Sequence, residues 1–132
     1  MAQIQENAIL KEHFIGLNFE DLIKPDKEQE QVIKTINSIE AMMEEYAHEI
    51  TYTQMRNIYG IVLESKLVTG LHRTRPRIAY IQARQSNDKA KKFVEFIIDL
   101  IKVVQDENQL NEFVELMETM VAYHRLYGKN KN

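Results

Sequence analysis

Between residues 32 and 50 the apolar side chains fall at alternating intervals of four and three: Val32, Ile36, Ile39, Met43, Tyr46 and Ile50. Only an α-helix gathers such positions onto one face, here over about six turns. No stretch of the chain alternates at period two for long enough to make a strand. Four glycines and two prolines in 132 residues are also too few for the turns of a β-sandwich or barrel. The stripe is too short for a free-standing coiled coil, so it needs other helices to cover it. The expectation is an all-α, compact bundle of about five helices.

The remaining helices are bounded by capping signals. Asp26 with Gln29 resembles a capping box before the first long helix, and Thr51 with Gln54 is a second. Met55, Ile58, Tyr59, Val62 and Leu63 then mark a helix with Gly60 inside it, at a cost of ~1 kcal/mol relative to alanine, which suggests close packing there. "VTGLHRTR" interrupts the pattern, and Pro76 suits the first turn of a short helix running to about Gln85. After "SND", Phe93, Phe96, Ile97, Leu100, Ile101 and Val104 mark a fourth helix. Leu110, Phe113, Val114, Met117, Met120, Val121 and His124 mark a fifth, closed by Gly128. Residues 1–25 are weakly patterned and read as a loosely ordered arm; residues 26–132 read as one helical bundle domain.

Several functions are excluded or unsupported. With no cysteine there is no disulfide, thiol chemistry or cysteine-ligated zinc. The apolar runs are too short to span a membrane and the first residues lack a signal peptide's order, so a soluble cytoplasmic protein is expected. Glu45 and His48 form one E-x-x-H pair, half of what a di-iron bundle uses, with no second pair. There is no phosphate-binding glycine loop and no nucleophile elbow, so no enzyme, metal or cofactor is expected.

The charge distribution is informative because it is segregated. Residues 1–65 hold five Lys/Arg against twelve Asp/Glu, a net −7, and residues 93–132 hold four against seven, a net −3. Residues 66–92 hold eight basic side chains against Asp88 alone, a net +7. Such a patch attracts polyanions. At its centre stands "RTRPRIAYIQARQ", four arginines around one proline and one tyrosine. On a helix starting near Pro76, Arg77, Tyr80 and Arg84 share one face, while Ile78 and Ile81 occupy the next and can dock. Arg73 and Arg75 add charge at its start. Guanidinium groups pair bidentately with phosphate, and a tyrosine ring stacks on bases. The competing interpretation is a surface network in which these arginines pair with the acidic helices.

Three ordered blocks then resemble one family: "TYTQMRNIYGIV" (residues 51–62), "RPRIAYIQAR" (75–84) and "FVELMETMVAYHRLYGK" (113–129). They are similar to the small subunit of the type III-A CRISPR effector, the Csm complex. That family shows a threonine-capped Q-[LM]-R-x-[FI]-Y helix, a [KR]-P-[KR]-[LI]-A-Y segment and a terminal A-Y-H-[KR]-x-Y-G. The polar Gln82 departs from the small residues usual at that place.

The resemblance implies an all-α subunit without nuclease activity, serving antiviral defence. It would stand in several stacked copies along the guide and target RNA, between the large polymerase-like subunit and the backbone subunits. Its implied partners are the guide (crRNA) and target single-stranded RNA, the other Csm subunits and copies of itself. Carried over by position, the RNA-binding candidates are Arg56, Arg75, Arg77, Tyr80 and Arg84. Lys89, Lys91 and Lys92 join them on charge alone, and Lys102, on the fourth helix, lies outside the basic segment. The alternative is a helical protein-interaction adaptor whose basic patch binds an acidic partner.

Overall fold

The computed structural model describes residues 7–128. Among them the chain forms eight α-helices: α1 (Ala8–His13), α2 (Phe19–Leu22), α3 (Gln29–Tyr46), α4 (Tyr52–Leu63), α5 (Val68–Arg73), α6 (Arg75–Ala83), α7 (Asp88–Lys102) and α8 (Glu107–Tyr127). One 3-10 turn, Ala47–Glu49, links α3 to α4, and no strand occurs among the described residues. The five expected helices are α3, α4, α6, α7 and α8.

The long helices lie in pairs, α3 along α8 and α6 along α7, with α4 against α8. The centre is α7, where Ala90, Phe93, Val94, Phe96, Ile97, Ile98, Leu100 and Ile101 are all buried. A helix buried over so wide an arc needs partners on more than one side. It finds them in α6 and in the N-terminal helices α1 and α2.

Those N-terminal helices correct the expectation of a loosely docked arm. Ile9, Phe14, Leu22 and Ile23 are buried, and the Phe14 ring stacks on Phe96 at 5.2 Å between centroids. Asn7 caps α1, Asn18 and Asp21 form a capping box on α2, and Gly16 turns the loop between them at φ +80°. Helices of six and four residues are too short to show a periodic stripe, which hides them in the sequence. Residues 1–6 of the expected arm and the tail 129–132 lie outside the described residues.

Other local expectations divide. Thr51 Oγ1 accepts from the Gln54 amide at 3.0 Å while Gln54 Oε1 accepts from the Thr51 amide at 2.9 Å, completing the box. Asp26 does not cap α3: it sits at φ +60°, and Glu28 at the N-cap makes no side-chain bond. Lys27 instead ties this turn to α8 through Glu112 at 2.9 Å. Along α3, Ile39, Met43 and Tyr46 are buried as expected, but Val32 and Ile36 stay on the surface beside a groove shared with α8. Gly60 is not closely packed, since a Cβ there would meet nothing within 4 Å.

Candidate nucleic-acid interface

α5 and α6 follow one another with a single hinge residue, Thr74, which closes one helix and opens the next. Its hydroxyl donates to the Leu71 carbonyl at 2.6 Å, so it is occupied by its own turn. The interruption read at "VTGLHRTR" is therefore a short helix, anchored by the buried Leu71, and the basic helix begins at Arg75 with Pro76 in its first turn.

α6 lies lengthwise on α7, with one side turned to the core. Ile78 is buried and Ile81 half-buried, as the sequence pattern predicts. Gln82 Nε2 donates to the Lys91 carbonyl at 3.2 Å, which gives the polar residue at that place a role in fastening α6 to α7. Gln85 is buried just past the helix, where its Oε1 accepts from Gln54 of α4 at 3.2 Å. Pro76, Arg77, Ala79, Tyr80 and Ala83 of α6 are exposed.

The exposed side presents Tyr80, with 63% of its surface accessible, beside Arg84. Arg84 Nη1 donates to the tyrosine hydroxyl at 3.1 Å, and its guanidinium lies 5.7 Å from the ring centroid. Arg77 turns toward the end of α4 and pairs with Glu64 at 3.1 Å, both side chains remaining more than half exposed. An ion pair this open is worth under about 1 kcal/mol, so Arg77 can exchange Glu64 for a phosphate at little cost.

Arg75 faces another way. It lines a groove with His72, Gln82 and Lys102. His72 Nε2 lies 2.7 Å from the Val104 carbonyl and must donate to it, which leaves Nδ1 to accept from Arg75 Nη1 at 3.3 Å. The sequence reading gave His72 no role; its position three residues before Arg75 is the signal that could have shown it. Lys102 shares this groove, so it does not stand apart from the basic region as expected.

The remaining candidates scatter. Arg56 is exposed on the face of α4 that carries Tyr52 and Tyr59, whose hydroxyls reach α8 at the Arg125 carbonyl and Glu118. Lys89 is engaged by Glu45 at 3.2 Å and lies 5.6 Å from the Tyr46 ring centroid, on the α3 side of the molecule. Lys91 and Lys92 are exposed near the start of α7 without an ion pair among the described residues. The structure thus joins Tyr80 with Arg84, turns Arg77 and Arg75 to two different concavities, and keeps Lys89 apart.

No metal chemistry assembles around Glu45 and His48. Glu45 accepts from His13 at 2.8 Å as well as from Lys89, while His48 is exposed in the 3-10 turn. Burial alone would raise the Glu45 carboxyl, but the bonds from His13 and Lys89 outweigh it and hold it below its usual value. Among the described residues no group of three or more His, Asp or Glu is placed to hold a metal ion. No helix there is long and apolar enough to cross a membrane.

The structure is a small all-α bundle whose basic segment runs from the loop before α5 through α6 to the start of α7, with Tyr80 and Arg84 exposed together. The family model described as Csm2 Type III-A matches residues 26–130, and the chain belongs to that family. It is accordingly a subunit of the type III-A CRISPR-Cas Csm effector complex. No curated protein and no solved structure matched the chain.

Proposed function

We propose that this chain is a non-catalytic, RNA-binding small subunit that stacks in several copies along the guide and target RNA of its complex in the cytoplasm. The observation that supports this reading most is the division of labour on α6. Ile78 fixes the helix to the core while Arg77, Tyr80 and Arg84 stand in succession on its exposed side. Arginine supplies charge-assisted, two-pronged bonds to phosphate oxygens, and the tyrosine ring offers a face to an unstacked base. Arg75 extends the positive surface into the neighbouring groove, where Lys102 pairs with Asp99 at 3.5 Å; Arg56, Lys91 and Lys92 are outlying contributors, and Lys89 is held by Glu45.

Contacts made mainly to phosphates are indifferent to sequence and sensitive to salt. For about three to five neutralised phosphates, the log–log slope of affinity against salt should lie near −2 to −3.5, at ~0.7 per contact on a single strand. Fluorescence anisotropy of a labelled single-stranded RNA across a salt series measures it. A flat response, or strong preference among unrelated sequences, contradicts the reading. Salt-dependent binding to an acidic protein with none to RNA would favour the adaptor alternative.

A further inference from the structure

Between the end of α4 and the start of α6 lies a notch of about 420 Å³ that joins Arg77 to residues outside the RNA-binding candidates. Its walls include Glu64, Ser65, Lys66, Thr69, Arg73 and Arg77. Three cations thus face one carboxylate. Lys66 and Arg73 are exposed and make no ion pair among the described residues, and the single acid, Glu64, is spent on Arg77 at 3.1 Å. In the same wall Ser65 Oγ is buried and makes no hydrogen bond among the described residues. A buried hydroxyl without a partner is costly and uncommon in native proteins unless something else satisfies it. Cations in excess, a hydroxyl wanting a partner and a concave wall are what a tetrahedral oxyanion requires.

We propose that this notch seats one backbone phosphodiester of single-stranded RNA, and that Glu64 is its stand-in in the free protein. The proposal rests on the RNA-binding reading and adds to it a place and a mechanism. In the free chain Glu64 Oε1 accepts from Arg77 Nη1 at 3.1 Å, as a phosphate oxygen would. When RNA arrives, Arg77 exchanges the carboxylate for phosphate, Lys66 and Arg73 close on the remaining oxygens, and Ser65 gains an acceptor. Glu64, left unpaired and half in water, opposes binding by repelling the anion. The carboxylate therefore lowers affinity, and removing its charge should raise it. That sign separates the notch from a merely decorative surface pair, whose removal would leave affinity unchanged.

The test uses the full chain and a fluorescein-labelled oligouridine, with affinity read by anisotropy at fixed ionic strength. Glu64→Gln, which keeps a hydrogen-bonding oxygen, should tighten binding about two- to fivefold. Lys66→Ala with Arg73→Ala should weaken it about tenfold. Arg73→Lys should lose less than Arg73→Ala, because charge returns without the fork. Lys34→Ala on α3 removes one charge elsewhere and should change affinity little. Amide NMR shifts at Ser65 and Thr69 should follow RNA to saturation. If they respond to inorganic phosphate and not to RNA, the notch serves a free anion and the proposal fails. If the parent binds RNA with the expected salt slope while neither the Lys66/Arg73 nor the Glu64 variant departs from it, the notch is overturned and the broader RNA reading stands. A parent chain that binds no RNA overturns both.

Discussion

His124 Nε2 lies 2.7 Å from the carbonyl oxygen of Ile50, joining the end of α8 to the turn that opens α4. A carbonyl only accepts, so Nε2 carries the proton and the bond fixes the tautomer. The ring is 2% exposed and meets the Tyr52 ring edge-on at 5.3 Å. Burial pushes the imidazole below its ordinary value, against the opposing pull of the Ile50 and Ala47 carbonyls and with a smaller push from Arg125.

That depression makes stability depend on pH in a definite direction. The unfolded histidine takes up its proton near its ordinary value of about 6.5, while the folded one resists. Stability should therefore be unaffected by this group above that value and fall as the pH drops below it. Urea midpoints measured from pH 7.5 to 5 check this. His124→Gln should flatten the part of the curve just below pH 6.5 while lowering the midpoint throughout. A variant whose pH profile matches the parent's would show that His124 does not titrate in that window.

Gly60 is an exposed helical residue with open space where a Cβ would stand. Gly60→Ala should raise stability by roughly 1 kcal/mol, from backbone entropy alone. A thermal melt reads this directly, and destabilisation would reveal packing at that position.

The N-terminal helices should behave as part of the core. Met117 of α8 and Phe14 after α1 are both buried. Met117→Ala should cost about 2–4 kcal/mol and Phe14→Ala about 3–5 kcal/mol, because each leaves a cavity. Denaturant titration of the two variants makes the comparison. A near-neutral Phe14→Ala would return residues 7–25 to the loose arm that their sequence suggests.

What the sequence showed and what it hid divide along physical lines. The long helices were legible because a six-turn stripe repeats its signal at every turn, and because Thr51–Gln54 reads as a cap by spacing alone. α1, α2 and α5 were not, since four to six residues cannot display a period, and their stability comes from docking Ile9, Leu22 and Leu71 into a core built by others. The docking of Ile78 beneath an exposed Tyr80 was readable from helical geometry. The directions taken by Arg75 and Arg77 were not, because each is set by a partner, His72 or Glu64, placed by the turns around α5. Charge counting placed Lys89 with the basic segment, yet a helix turn separates it onto the side where Glu45 waits.

The central claim is that the exposed side of α6 holds RNA and does not hold the fold. The most direct measurement is RNA affinity and melting temperature of Arg77→Ala combined with Arg84→Ala, each set beside the parent and Lys34→Ala. Arg77 pairs with Glu64 in the open, and the exposed Arg84 makes no ion pair among the described residues and bonds the Tyr80 hydroxyl, so their loss should move the melting temperature little. Charge-assisted bonds to phosphate are worth about 1.5–3 kcal/mol where shielded, so anisotropy should show affinity falling about tenfold or more, with lysine at either position restoring part of it. A double variant that binds RNA as tightly as the parent, or that unfolds many degrees earlier, would contradict the account.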